Sequence, residues 1–410
     1  MKYLTHQSSV ARWLWAFLFA ILLAACGGSV GGDAPQLASA PTAPGAAATT
    51  PPGTVAPGVS KAPTVPAASP GNGATNVPVS TVGADNSVQP KSISATFSEP
   101  MNPATIASPA TSFTVKETSS GNSVAGTVSM NDGNTGATFT PTSALPSNTP
   151  LTATITTAAT NPAGIPLGHD TAWTFTTGSQ VGHASIDLKT AGRFLVLGGN
   201  SIDNISTPAN PTRINGQLGI APGNIANVSG FTDSAVAGSG IILTGGIQLG
   251  STVSVAKSDL QAALTLANAR TSHQVNVDTS DMASFSVKGD RPGVYPPGLY
   301  ASSASLTLSA GQLTLDARGD PDAVWVFKAA SNLVVGHASR IVLLNGAKAR
   351  NVFWTLGSSA LIGDQVSFKG TVLAATSISV GSASGTGSTV EGRLLAVSAL
   401  NVNYTTVTTP

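Results

Sequence analysis

The sequence predicts a mainly β chain, a β-sandwich followed by a β-solenoid that carries one long flanking helix. Three observations predict it. Of 410 residues only 9% are charged while 44 are Gly and 27 are Pro, a composition that suits many short strands joined by tight turns. From about residue 62 to 178 short runs alternate small or polar with apolar residues, the period of a half-buried strand. From about 179 onward apolar runs recur in threes with Gly between them, the pattern of a coil that repeats.

The N-terminal runs are justified first. Lys2 and Arg12 precede the apolar stretch "WLWAFLFAILLAAC", which is shorter than the roughly 20 residues of a membrane span. It ends in Leu23-Ala24-Ala25-Cys26 followed by Gly27 and Gly28, and Cys26 is the one Cys of the chain. The run resembles the lipobox of bacterial lipoproteins, which implies a signal peptide over residues 1–25 and lipidation of Cys26; an ordinary signal peptide is the other reading. Gly27 stands where Asp usually marks inner-membrane retention, so the resemblance implies an exported protein lipid-anchored to the outer membrane and exposed at the cell surface. Residues 26–61 are rich in Pro, Ala and Thr without any apolar stripe. They read as a linker, extended at about 3 Å per residue where polyproline-like.

Residues 62–178 contain "SISATFS", "SFTVKE", "VAGTVSM", "GATFTP", "LTATITTA" and "AWTFTTG", spaced as in a sandwich of about 100 residues. "SPGNGATNVPVS", "ATFSEPMNPATI" and the closing "WTFTTG" resemble the bacterial Ig-like domain of surface-layer and adhesin proteins, which implies a spacer or stalk. Glu99, Met101 and Asn102 in the "FSEPMN" turn read as strand-end packing rather than a metal site.

Residues 179–410 hold the solenoid. "VAKSDLQAALTLANARTS" places Leu260, Ala263, Leu264 and Ala267 on one helical face, with Ser258 expected as N-cap and Arg270 in the last turn. The later runs fall into sets of three: SNLVVG, SRIVLLNG and NVFWTLG; SALIG, QVSFKG and TVLAA; TSISVG, STVEG and RLLAV. Three strands per turn, at roughly 16 to 27 residues per turn, mark a solenoid with stacked inward apolar positions and Gly at its corners. Trp325 and Trp354 fall among inward positions and read as core.

"TRINGQLGIAPG", "SDLQAALTLANAR", "PPGLY", "DPDAVWVFKA", "IVLLNGAKARNVFWTLG", "FKGTVLA" and "VEGRLLAV" resemble, in order, the microbial ice-binding-protein family. That implies an irregular right-handed β-solenoid with one helix alongside, and one flat face that adsorbs to ice. The physics is independent of the family. Strands about 4.8 Å apart, with alternate residues about 6.7 Å apart, give spacings close to ice-lattice repeats. Hydroxyls anchor water, methyls cage it, and charges would disturb it. The first run of each set opens a turn, and its alternation turns Leu333, Val335, Ile378, Val380, Leu400 and Val402 inward. Asn332, Val334, Ser339, Ser377, Ser379, Ala399, Asn401 and Asn403 are then expected outward. Ser206, Thr207 and Thr212 are expected near the same face, and by the resemblance these eleven residues form the ice-binding side. The mix is uneven beside the repeated Thr-x-Thr-like rows of the family's most active members, with His337, Asp364 and Gln365 close by.

Other functions find little support. A net charge of +1 with no Lys/Arg cluster argues against nucleic acid. The histidines at 6, 169, 183, 273 and 337 lack ligand spacing. Asp320 and Asp322 suit a turn better than a calcium loop. Asp316, Asp320, Asp322, Asp364 and Glu391 are dispersed and no nucleophile motif occurs, so neither catalysis, metal nor cofactor is expected. Two readings remain: a monomeric, membrane-tethered protein whose partner is the ice crystal surface, and a non-enzymatic adhesive module for matrix polysaccharide or a surface protein.

Overall fold

Alternation in the first half produces two facing sheets. In the computed structural model, which describes residues 61–109, 111–231, 240–242, 245–278, 281–287, 289–382 and 386–410, one sheet runs Ala67–Ser69, Ile93–Thr96, Gly136–Pro141, Gly126–Met130. The other runs Ala74–Val77, Thr171–Thr177, Pro150–Ile155, Phe113–Glu117. Their alternate residues, among them Ile93, Phe113, Phe139, Leu151, Trp173 and Phe175, close a dry core. Met101 is fully buried there, Asn102 Oδ1 accepts the amide of Ala104 at 3.1 Å, and Glu99 accepts from Asn161 at 2.8 Å. This is the Ig-like sandwich. Cys26, the apolar run expected as a signal peptide, and the segment expected as a linker up to residue 60 lie outside the described residues.

The second half is the irregular solenoid with its flanking helix. Leu306, Leu333, Ala360, Ile378 and Leu400 stack in parallel register, so successive coils advance by 27, 27, 18 and 22 residues. Stacked coils bring like side chains together inside. Tyr300, Phe327 and Trp354 are register partners, with ring centroids 5.3 and 4.2 Å apart. Trp325 and Trp354 are both buried, and each indole N–H donates to a carbonyl at 3.0 Å. Two strands, Ser367–Ala374 and Ser388–Ala396, bend from one wall to the next at the register pair Gly370 and Gly392. Gly370 has φ +106°, and a Cβ on Gly392 would lie 1.8 Å from the Gly370 carbonyl oxygen. Only glycine fits there.

The order of coils departs from chain order. The first coil stacks on the last: Val196 pairs with Leu394, Ser201 with Ala399 and Arg213 with Thr406. The chain makes a further partial turn outward, at Val228–Ser229, before the helix and the coils that begin near Gly298. The helix spans Ser251–Asn268 and turns Val253, Ala256, Leu260, Ala263, Leu264 and Ala267 onto one wall, against Phe194, Val326, Phe353, Leu373 and Leu395.

Two expectations about the helix are corrected. It starts seven residues before Ser258, at Ser251 after Gly250 (φ +81°), because Val253 and Ala256 extend the apolar face N-terminally. Ser258 is an interior residue whose hydroxyl donates to the Ser254 carbonyl at 3.2 Å. Arg270 follows the helix, is buried, and donates to the carbonyls of Ala184 and Ser185 rather than to helix carbonyls. Lys328 supplies that cap instead, reaching the carbonyls of Asn268 at 3.3 Å and Arg270 at 2.7 Å.

The sandwich and solenoid meet through polar contacts. Asn86 donates to the Ala269 carbonyl and accepts from the Thr271 amide, and Lys91 pairs with Asp320 at 3.2 Å. Val181–His183 joins the sandwich side as a parallel partner of Ser80–Val82.

Candidate functional site

Three walls enclose the solenoid and differ in what they offer to solvent. The first is covered by the helix. Its cations serve the packing: Lys257 donates to the carbonyls of Ala396 and Val397 at 2.6 and 2.7 Å, and Arg393 to Gly192 at 2.9 Å. Burial pushes the Lys257 ammonium down to about 8. The second wall is charged. Its outward row runs Gln312, Arg340, Ser367, Thr389, Thr406, Arg213, and a Lys369–Glu391 pair at 2.6 Å lies beside it.

The third wall is a seven-stranded parallel sheet. Its spatial order is Val228–Ser229, Ser201–Asp203, Ala399–Val402, Ser377–Val380, Ala360–Ile362, Leu333–Val335, Leu306–Leu308. Six inter-strand gaps make it about 29 Å long. Inward residues such as Ile202, Leu400, Ile378, Ile362 and Leu333 are buried, so their neighbours must face solvent. One outward row, fixed by register, is Ser229, Asp203, Asn401, Ser379, Leu361, Val334, Thr307. Two residues earlier on each strand lies a second row of Ser201, Ala399, Ser377, Ser359, Asn332 and Ser305. Its hydroxyls and amide bond along the row: Ser359 and Ser377 hydroxyls meet at 2.9 Å, and Asn332 Oδ1 accepts the Ser359 amide at 3.1 Å. Side chains tied this way cannot swing freely, so water bound to them sits at fixed points.

Six of the eleven sequence-predicted residues lie in these rows: Asn332, Val334, Ser377, Ser379, Ala399 and Asn401. Thr207 is exposed in the loop beyond the sheet, bridged to Asn210. Four are buried and cannot touch a crystal surface: Ser206, Thr212, Ser339 and Asn403. Ser339 lies an even number of residues from Leu333 and Val335, so alternation itself turns it inward with them, and Asn403 lies at the end of its strand beside Tyr404, a left-handed residue (φ +48°). Ser206 and Thr212 share a hydrogen bond at 2.7 Å, and the Tyr404 amide donates to the Ser206 hydroxyl at 2.6 Å. The Thr212 hydroxyl donates to the Val402 carbonyl at 3.1 Å. These groups form an internal polar seam between the first and last coils. Of the neighbours noted in the sequence, His337 is exposed at a corner and the Asp364 carboxylate is bound by Ser382 at 2.6 Å.

The sequence reading missed Thr307, Leu361, Asp203 and Ser229 in the first row, and Ser201, Ser305 and Ser359 in the second. The signal for Ser359 and Leu361 was present, because "SALIG" opens a set just as "SNLVVG" does. Ser201 and Asp203 required knowing that the first coil stacks on the last.

A family model described as ice-binding-like matches residues 196–408, which contains all three walls and the helix. The chain belongs to that family. A second model, for a bacterial Ig-like domain, matches residues 59–177 of the sandwich. Among relatives of this ice-binding-like domain, "Ice-binding protein 1" of Shewanella frigidimarina is 43% identical over 101 residues, 24% of this chain and 11% of that protein. An "Ice-binding protein" of a Nostoc species is 36% identical over 195 residues, 47% of this chain and 63% of that one. The matched parts are thus under two thirds of either relative. A crystal structure of an ice-binding protein from an Antarctic biological consortium is 35% identical, covering 55% of this chain and 91% of that one, with a TM-score of 0.47. Among the described residues no three His, Cys, Asp or Glu side chains group as metal ligands would.

Proposed function

We propose that the protein adsorbs to ice through the seven-stranded wall, and that its N-terminus, lipidated at Cys26, displays it at the cell surface. The observation that carries the reading is the contrast between walls. One is covered, one bears Arg213, Arg340, Lys369 and Glu391, and the third offers two continuous rows with a single carboxylate among thirteen residues. A small-residue, weakly charged surface can hold an ordered water layer in register with a growing crystal. Membership of the ice-binding-like family and the names of the relatives support the same reading.

The adhesive reading draws on a cavity of about 470 Å³ beside the helix C-terminus, lined by Gln274, Asn276, Asp278, Ser303 and Lys328, groups that could hydrogen-bond a sugar. Against it, the large exposed hydrophobic side chains among the described residues are all aliphatic, whereas sugars stack on aromatic faces. Recrystallisation inhibition by the full chain and its Ser379→Tyr variant separates the two. Ser379 is mid-row, and a phenol there would stand proud of both rows. The variant is expected to need at least about tenfold more protein for the same inhibition. Inhibition that Tyr leaves unchanged would move the site off this wall, and a chain that inhibits nothing would sink the ice reading.

A further inference from the structure

The outward row is not uniform along its length. From the far end it reads Thr307, Val334, Leu361, Ser379, Asn401, all uncharged, and then meets Asp203 before ending at Ser229. Asp203 is the one charged member of either row. It stands on the first coil, which reaches this position only by stacking on the last, and its Oδ1 accepts the Ser229 hydroxyl at 2.6 Å. No Lys or Arg pairs with it among the described residues. The same coil carries the exposed Arg213 on the neighbouring wall and the 57%-exposed Ile205 just past the strand. The charge and irregularity of this end contrast with the strands of the last two coils, whose outward residues here are Ser377, Ser379, Ala399 and Asn401.

We infer that Asp203 sets the end of the ice-contacting area, so that contact is made by the five strands from Leu306–Leu308 to Ala399–Val402 and the two outermost strands form its rim. The inference rests on this wall being the ice-contacting one. Its physical basis is hydration. A hydroxyl or amide donates to and accepts from neighbouring waters, so it can stand within a tetrahedral network. A carboxylate only accepts, and it turns every adjacent water's hydrogen toward itself. Pressing it against a crystal would either strip that shell, which is expensive for an ion, or leave a disordered layer between the protein and the ice. The contact is most favourable where it stops short of the charge. Five strands span four gaps, about 19 Å, and neutralising Asp203 would let the contact run on over the remaining two.

A charge moved along the row tests this. Asp203→Asn keeps the side-chain shape and an oxygen to accept from Ser229, so the rim strands stay paired while the charge is lost. Asn401→Asp places a carboxylate one strand further in. Both are measured in the full chain by recrystallisation inhibition, beside Ser379→Tyr, with thermal unfolding recorded for each. Asp203→Asn is expected to lower the protein concentration needed for inhibition roughly fivefold, and Asn401→Asp to raise it by a similar factor. If Ser379→Tyr weakens inhibition while Asp203→Asn leaves it unchanged or lowers it at unchanged unfolding temperature, the limiting role of Asp203 is overturned and the wall stands. If all three variants behave as the unmodified chain, the wall itself is overturned and this inference with it. Should Asn401→Asp unfold early, Asp203→Asn alone decides.

Discussion

His183 should make the folded chain lose stability between about pH 6.5 and pH 4. The side chain is 4% exposed, and neither ring nitrogen has a hydrogen-bond partner. Burial pushes its pKa from 6.5 down to about 4, with the Arg270 guanidinium and His273 pushing the same way. Lys91 and Asp320 line the same cavity and pair with each other. In the unfolded chain His183 takes up a proton near pH 6.5, whereas in the folded chain it does so only near pH 4. The unfolded state therefore binds more protons across that window, and stability falls as pH falls through it. The interval from 6.5 to about 4 corresponds to roughly 3 kcal/mol of stability. The perturbation is His183→Leu, which fills similar space and gives up at most a weak contact with the His273 backbone. Urea unfolding of both chains at pH 7.5, 6, 5 and 4.5 gives the comparison. The variant should match or exceed the parent at pH 7.5 and pull ahead steadily below pH 6. Asp85, Asp259 and Asp278, whose pKa values hydrogen bonds hold below the usual carboxylate value, also lose stability in acid but do so equally in both chains. Parallel pH profiles for parent and variant would refute the reasoning.

Two further predictions concern the coil corner and the N-terminus. Gly392→Ala forces a methyl toward the Gly370 carbonyl, only 1.8 Å from the ideal Cβ position, and should destabilise the chain by about 3 kcal/mol; an unfolding temperature within a degree of the parent would contradict the corner geometry. Cys26→Ser should shift the protein expressed in a Gram-negative host from the detergent-extracted membrane fraction to the soluble one, and equal partitioning of the two would rule out the lipid anchor.

Much of the fold was legible because strand parity and helical period are local. The face formed by Leu260, Ala263, Leu264 and Ala267 follows from spacing alone, and the inward places of Leu333, Ile378 and Leu400 follow from alternation once those runs are strands. The helix start was misplaced because Gly250 offers no side-chain cap to mark it. Ser339 was misplaced because it shares the inward parity of Leu333 and Val335, and Asn403 because its strand ends at a corner beside Tyr404, a residue type that does not announce a positive φ.

The sequence by itself determined that short strands coil in threes, that one wall would carry small uncharged residues, and that Trp325 and Trp354 would lie inside. Only the tertiary structure decided which coils touch. A solenoid edge presents unpaired backbone groups to whatever parallel strand arrives, and periodicity does not mark the partner. Here the last coil's edge is closed by the first, across nearly two hundred residues of chain, through Val196–Leu394 and Ser201–Ala399. That pairing places Asp203 next to Asn401, and so puts a charge on a wall that reads as nearly neutral along the chain.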